Sequence, residues 1–389
     1  MSAHTNEQPM KEFSWRPEGP LDWGWAALVV VASIAALYIF APMMNRYEVG
    51  ILIGTAAILM AFGWYWRSFA AYSIAVALLS TIGVLLYGGD LDRGETSFFL
   101  QYLLSSQSAV VWMSSLYILA TLSYFAGLLS RSEFAERVGT ALTWIGSVMG
   151  MVALFVRWRE SHMLGPDMGY VPVSNLYEVF IQFAVVTALI YLFYEQRFRT
   201  RALGGFVLLA ITAGVIFLLW YGASREAYEI QPLIPALQSW WMTIHVPTNF
   251  IGYGAFAIAA MTAVAYLIAE PKRRNGTEGP VVSRLPSLEA MDDVMYKSIA
   301  LGFVFFTIAT ILGAMWAAEA WGGYWTWDPK ETWSLILWLN YAAWLHMRLT
   351  KGWRGTVLAW WAIVGFFVML FTFLGVNMFL SGLHSYGEL

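Results

Sequence analysis

Five histidines and no cysteine define the chemistry open to this chain. Without Cys there is no structural disulfide, no thiolate metal site, no iron–sulfur cluster and no direct thiol exchange. Any metal ligation must therefore use imidazole. His4 sits in a polar tail and reads as solvated, and His162 reads as a loop histidine in the connector 159–175. Three others are more informative. His245 stands in WMTIHVPTNFIGYG at the mouth of an apolar stretch, and His384 follows the last apolar stretch in NMFLSGLHSYG. His346 lies 13 residues after Trp333, about 20 Å along a helix at about 1.5 Å per residue. That depth is inside a membrane core, where an ionisable residue is a functional candidate. The competing reading is a side chain reaching for the interface beside Arg348. The preceding turn, Ala342 and Ala343, leaves room for a flat ligand.

Seven of the 21 Trp fall between Trp316 and Trp344, in WAAEAWGGYWTWDPKETWSLILWLNYAAWLH. An aromatic belt explains one or two Trp per helix end. It does not explain Trp321, Tyr324, Trp325 and Trp327 crowded beside Gly322 and Gly323. Paired glycines let backbone turn sharply, and clustered indoles form an apolar platform with a few N–H donors. Such a surface suits a large planar ligand or a protein contact. Asp328-Pro329-Lys330-Glu331 has a structural reading as N-cap, N1 proline and N3 glutamate, a capping box. The same signature recurs at Asn175-Leu176-Tyr177-Glu178. Lys330 is the one cation of the Trp loop and is positioned to meet an anionic group such as a propionate. Haem iron takes two axial ligands, and neutral imidazole is a common choice. His245 and His384 flanking the aromatic platform on one face make a bis-His haem site the favoured reading over two interface histidines. His346 would need its opposing ligand from outside the chain, because no other expected span carries a His within its interior.

The elements that must hold these residues are membrane helices. Of 389 residues, 59% are hydrophobic and 12% charged, against roughly 25% charged in a soluble domain. The net charge of −3 gives nucleic acid no basic surface to bind. A span needs about 20 mostly apolar residues. Eleven stretches qualify: roughly 23–44, 48–65, 68–88, 108–130, 139–158, 176–195, 203–223, 245–269, 297–318, 333–350 and 356–379. The fold class is therefore all-α and polytopic, with about eleven transmembrane helices and a small external Trp-rich platform. The first stretch follows a polar tail, lacks a small-residue cleavage site and reads as a span, not a signal peptide. Sixteen of the 22 Lys and Arg fall in one set of connectors and six in the other. By the positive-inside rule the amino terminus is cytoplasmic and the carboxyl terminus external. His245, His384 and the Trp loop then share the external side. The expected organisation is a cytoplasmic tail at 1–22, amino-terminal helices at 23–138 and a core at 139–389 that holds the Trp segment 316–344, with 270–296 as a cytoplasmic linker.

The run WGGYWTWDPKETWSLILWLNYAAWLH resembles the WWD signature of haem-handling proteins. HVPTNFIGYGAF, GVNMFLSGLHSYG, and RW followed by PVSNLYE near 157–178 narrow the resemblance to the CcsA (ResC-type) component of the System II cytochrome c synthase. It covers about residues 140–389; the amino-terminal third matches mainly in being hydrophobic. CcmC and CcmF families share the WWD segment but differ in length and lack the GLHSYG ending. The resemblance implies that haem b is moved from the cytoplasmic to the external face and presented to an apocytochrome c. There the thiols of Cys-x-x-Cys-His add to the haem vinyls. It implies His245 and His384 as external axial ligands and His346 as a transmembrane ligand. Trp321, Trp325, Trp327 and Lys330 would contact the haem. Implied partners are a CcsB (ResB-type) membrane subunit supplying the opposing transmembrane His, and thiol-reducing membrane proteins. The setting would be a bacterial inner (cytoplasmic) or thylakoid-type membrane. A haem exporter or chaperone without attachment activity is the alternative. A respiratory cytochrome b subunit is disfavoured, because it normally pairs His on two spans of one chain.

Overall fold

The computed structural model describes residues 14–165 and 168–384, and His4 falls outside them. Among the described residues there are eleven helices of 15 residues or more and no strand. They are α1 Pro20–Phe40, α2 Arg46–Tyr65, α3 Arg67–Tyr87, α4 Ser106–Ser130, α5 Glu133–Leu164, α6 Leu176–Phe198, α7 Gly204–Arg225, α8 Trp240–Arg274, α9 Leu288–Trp321, α10 Pro329–Thr350 and α11 Thr356–Leu370. One π-helical turn, Phe371–Gly375, and a last turn, Val376–Phe379, continue α11. Ten of the described helices are long and apolar enough to cross a membrane. The tenth apolar stretch forms α10 but is more polar, carrying Lys330, Glu331, Asn340, His346 and Arg348. The protein is an all-α polytopic membrane protein.

Several helices run beyond their apolar stretches. α5 continues through Arg157, Glu160 and His162 to Leu164, so His162 lies in a helix's last turn and not in a loop. The extension persists because its polar groups are paired. Arg157 Nε donates to Glu178 Oε1 at 2.7 Å, and Glu160 Oε1 accepts from Tyr87 Oη at 2.7 Å and Ser106 N at 3.0 Å. Likewise α8 ends at Arg274 and α9 begins at Leu288, which shortens the expected 270–296 linker to 275–287.

The chain forms two compact units, 1–78 and 79–389. In the first, α1 and α2 pack as a hairpin. Asp22 receives two hydrogen bonds from Arg67, at 2.9 and 2.8 Å, and Trp25 Nε1 donates to Leu59 O at 3.1 Å. In the second, α4 packs along α5, and α8 along α9, with α6 and α11 also against α8. Small residues let α8 and α9 close on each other. A Cβ added at Gly252 would lie 3.2 Å from Gly302 O, and one at Gly302 would lie 2.6 Å from Phe256 Cε1. Without a hydrophobic drive between helices in lipid, such close backbone packing supplies much of the association.

Candidate functional site

The site is built where α9 stops and α10 starts. Gly322, at φ 77°, ends α9 after Trp321, a backbone conformation that suits glycine. The chain reverses again at Trp327, whose φ of 61° is an outlier for a bulky residue. Asp328 then caps α10, accepting from Lys330 N at 3.0 Å. Glu331 closes the capping box from the other side: its Oε2 accepts from Asp328 N at 3.2 Å and from Thr326 N at 2.6 Å. The capping box expected at Asp328–Glu331 is present.

At the head of α6, Asn175 caps as expected, accepting from Glu178 N at 2.9 Å. Glu178 does not reach back to Asn175. Its Oε2 accepts from Ser174 N and Ser174 Oγ, both at 2.8 Å, and its Oε1 from Arg157. A fully buried guanidinium needs its carboxylate more than the cap does.

His245 lies in the second turn of α8, and His384 follows α11 at the far end of the described chain. Both line one cavity, with Trp316, Tyr324, Trp325, Lys330, Glu331 and apolar walls from Phe250, Phe306 and Phe373. It encloses about 1180 Å³, open water at its mouth included. His245 Nδ1 is 2.7 Å from Ala309 O. A carbonyl can only accept, so Nδ1 carries the proton and the ring's lone pair is on Nε2. His384 Nδ1 is 2.9 Å from Asp328 Oδ2, which fixes the same tautomer. Burial pushes the His384 imidazole below its ordinary pKa, opposed by that hydrogen bond; the neutral, metal-binding form is favoured. Gly313 makes room for His245, since a Cβ there would lie 2.8 Å from the imidazole Cε1.

The Trp cluster divides by role. Trp316 is buried, donates to Ala236 O at 2.8 Å, and its ring lies 5.7 Å from that of His245. Trp321 packs edgewise on His384 at 4.6 Å. Trp325 lines the cavity. Trp327 is 68% exposed and meets Trp325 edge-on at 5.8 Å, so the expected platform is narrower than its sequence. Trp333, Trp338 and Trp344 are packing residues, the last two donating to Thr307 Oγ1 and Leu358 O. Lys330 lines the cavity while Nζ donates to Asn377 Oδ1 at 2.8 Å and Phe373 O at 3.1 Å. It thereby stitches α10 to the π-helical turn of α11. His346 is not brought to this cavity. It lies 16 residues on from Lys330 along α10, on an exposed position.

These residues fit a haem. Among the described residues no group of three or more His, Asp or Glu is placed to hold a bare metal ion. The wall is aromatic and apolar. Two buried acceptors of the same cavity, Glu331 Oε1 and Asn249 Oδ1, have no hydrogen-bond partner, as expected at a ligand or water site. Sequence reasoning missed Asn249, Asn377 and the role of Asp328 beyond capping.

Residues 173–384, which contain the whole cavity, match the family model described as cytochrome C assembly protein. The cytochrome c biogenesis protein CcsA of Chlamydomonas reinhardtii is 40% identical over 249 residues, 62% of this chain and 66% of that protein. CcsA of Guillardia theta is 34% identical over 296 residues, 70% of this chain and 93% of that one. CcsA of Synechococcus elongatus is 35% identical over 291 residues, covering 64% and 87%. Among solved structures, cytochrome c haem lyase CcmF shares the fold with a TM-score of 0.53 at 20% identity, covering 70% of this chain and 46% of that chain. The chain belongs to the cytochrome c assembly protein family, as a CcsA-type cytochrome c biogenesis protein.

Proposed function

We propose that this protein is the haem-presenting subunit of a holocytochrome c synthase, binding haem b in the His245/His384 cavity for attachment to apocytochrome c. The observation that carries the reading is that two histidines of one aromatic cavity each have Nδ1 engaged, by Ala309 O and by Asp328, leaving Nε2 as the ligating nitrogen. His245 and His384 would hold the haem iron, Trp316, Trp321 and Trp325 would supply apolar contacts, and Lys330 would meet its anionic groups. Haem supplies the vinyl groups to which the Cys-x-x-Cys-His thiols add. The chain's own contribution is orientation of the reactants, with no covalent nucleophile.

Orientation follows from α8. His245 stands near one end and Lys272, Arg273 and Arg274 close the other, about 40 Å away at about 1.5 Å per residue. The positive-inside rule then favours a cytoplasmic basic end and an external cavity. His346 would hold haem within the membrane before it reaches the cavity. Its exposure on α10 suits an opposing His from a CcsB (ResB-type) subunit. Thiol-reducing membrane proteins would keep the apocytochrome reactive.

Two measurements test this. The chain purified with a ResB-type subunit should carry haem with a low-spin, bis-imidazole absorption spectrum. Co-expression with an apocytochrome c should give covalent haem on its Cys-x-x-Cys-His. A haem-loaded complex that yields no covalent product points to the exporter reading; a complex that never retains haem removes both.

The indoles should separate. Trp325→Ala removes a cavity wall, and losing a large aromatic contact costs about 1.5–3 kcal/mol, about 10- to 100-fold in haem affinity. Trp327→Ala, at an outward-facing position, should change affinity less than about threefold. Equal losses in a haem titration of the two variants would contradict the cavity's boundary.

A further inference from the structure

Capping α10 requires one oxygen at position 328, and Ser, Thr or Asn would serve as well as Asp. Asp328 does more. Its Oδ1 accepts from Leu383 N at 2.6 Å and its Oδ2 accepts from His384 Nδ1 at 2.9 Å, while the carboxylate is 4% exposed. The arm can come this close because position 382 is Gly; a Cβ there would lie 2.2 Å from Asp328 Oδ1. The partners are 55 and 56 residues apart in sequence. A helix cap therefore also grips the carboxyl-terminal arm at the residue that faces the cavity. The other histidine is held differently: His245 meets a neutral backbone carbonyl, that of Ala309.

We propose that Asp328 is the positioning residue of His384, its carboxylate selecting Nε2 as the iron-binding nitrogen and clamping the arm that carries it. This rests on the reading of His384 as an axial ligand. Outer carboxylates on metal-bound imidazoles fix the tautomer and raise ligand basicity, and their loss typically costs about 10- to 100-fold in affinity. Here the carboxylate makes the two axial imidazoles chemically unequal. His384 is the more electron-rich ligand, which favours the ferric state.

The test is D328N in the full-length chain purified with its partner subunit, beside H384A. Asn caps as well as Asp, so α10 should form and the protein insert. The cap and the His384 contact share one atom, Oδ2, which accepts from Lys330 N at 3.0 Å and from His384 Nδ1 at 2.9 Å. An Asn that caps through that oxygen sets its NH2 against Leu383 N–H, now held by Oδ1 at 2.6 Å, and so releases the arm that positions His384. D328N should retain about 10- to 100-fold less haem. The remaining haem should lose its low-spin spectrum and show a raised midpoint potential, and added imidazole should restore the low-spin bands. Hydrogen–deuterium exchange of the first turn of α10 in haem-free protein should match wild type. If H384A alters the spectrum and D328N does not, the positioning role is overturned while the ligand reading stands. If H384A leaves the spectrum unchanged, the ligand reading itself fails. Should D328N not accumulate, D328S, which also caps but is too short to hold His384, takes its place with the same readout. If neither accumulates, Asp328 is a folding element and the proposal is wrong.

Discussion

His245→Ala and His384→Ala are each expected to abolish cytochrome c maturation while leaving the protein in the membrane. Both side chains line the same cavity and each is oriented through Nδ1. Removing a ligand should cost at least as much as the about 10- to 100-fold that loss of an outer hydrogen-bond partner costs. The cavity is open to solvent at its mouth, so free imidazole can enter the position vacated by truncation. Added imidazole should therefore restore part of the maturation in both variants, read as covalent haem on a co-expressed apocytochrome. His346→Ala should differ, because that residue is remote from the cavity on an exposed face of α10. It should lower the haem delivered to the cavity although both cavity ligands remain. Wild-type haem loading in a stably expressed His346→Ala variant would make His346 an interfacial residue and end its role in transfer. Maturation that survives loss of His245 or His384 without imidazole would dismiss the bis-His site.

The eleven helices were legible because the membrane imposes a simple rule of apolar length. Their ends were not. The rule finds the stretch inside hydrocarbon, whereas a helix continues as long as its polar side chains find partners. Arg157 and Glu160 carry α5 to Leu164 in this way. That His245, His384 and the Trp loop share an end followed from counting spans. Their meeting in one cavity did not, because it depends on α8, α9 and α11 packing together. Side-chain direction within the Trp loop was also hidden. Trp325 and Trp327 are near neighbours of one type, yet Trp325 lines the cavity while Trp327, in left-handed backbone, is exposed. The second role of Asp328 was invisible for a related reason. A capping box is a local pattern and fully explains the residue, so nothing in DPKE pointed to a histidine 56 residues on.

Glu178→Ala is expected to destabilise the protein by about 3–5 kcal/mol, the usual effect of removing one partner from a buried ion pair. Arg157 and Glu178 are 2% and 0% exposed. Arg157 also donates to Tyr228 O at 2.6 Å and Glu229 O at 3.3 Å. One guanidinium thus ties α5 to α6 and to the connector that leads into α8 and His245. Without Glu178 the charge stays buried against neutral carbonyls and the Tyr177 ring, 5.6 Å from the guanidinium carbon, and with its ion-pair partner gone, which is where the cost arises. The damage should spread along that connector, loosening the start of α8. Thermal unfolding of the detergent-purified variant should show the loss, with faster proteolysis in 226–239 before other connectors. The double variant Arg157→Met with Glu178→Leu should recover much of the stability, because replacing a whole buried pair by apolar groups of similar volume is often neutral. Full recovery of maturation is not expected, since the apolar pair cannot hold the carbonyls of Tyr228 and Glu229. If Glu178→Ala melted with wild type, the ion pair would be incidental, and the positioning of His245 would have to come from α8 and α9 packing alone.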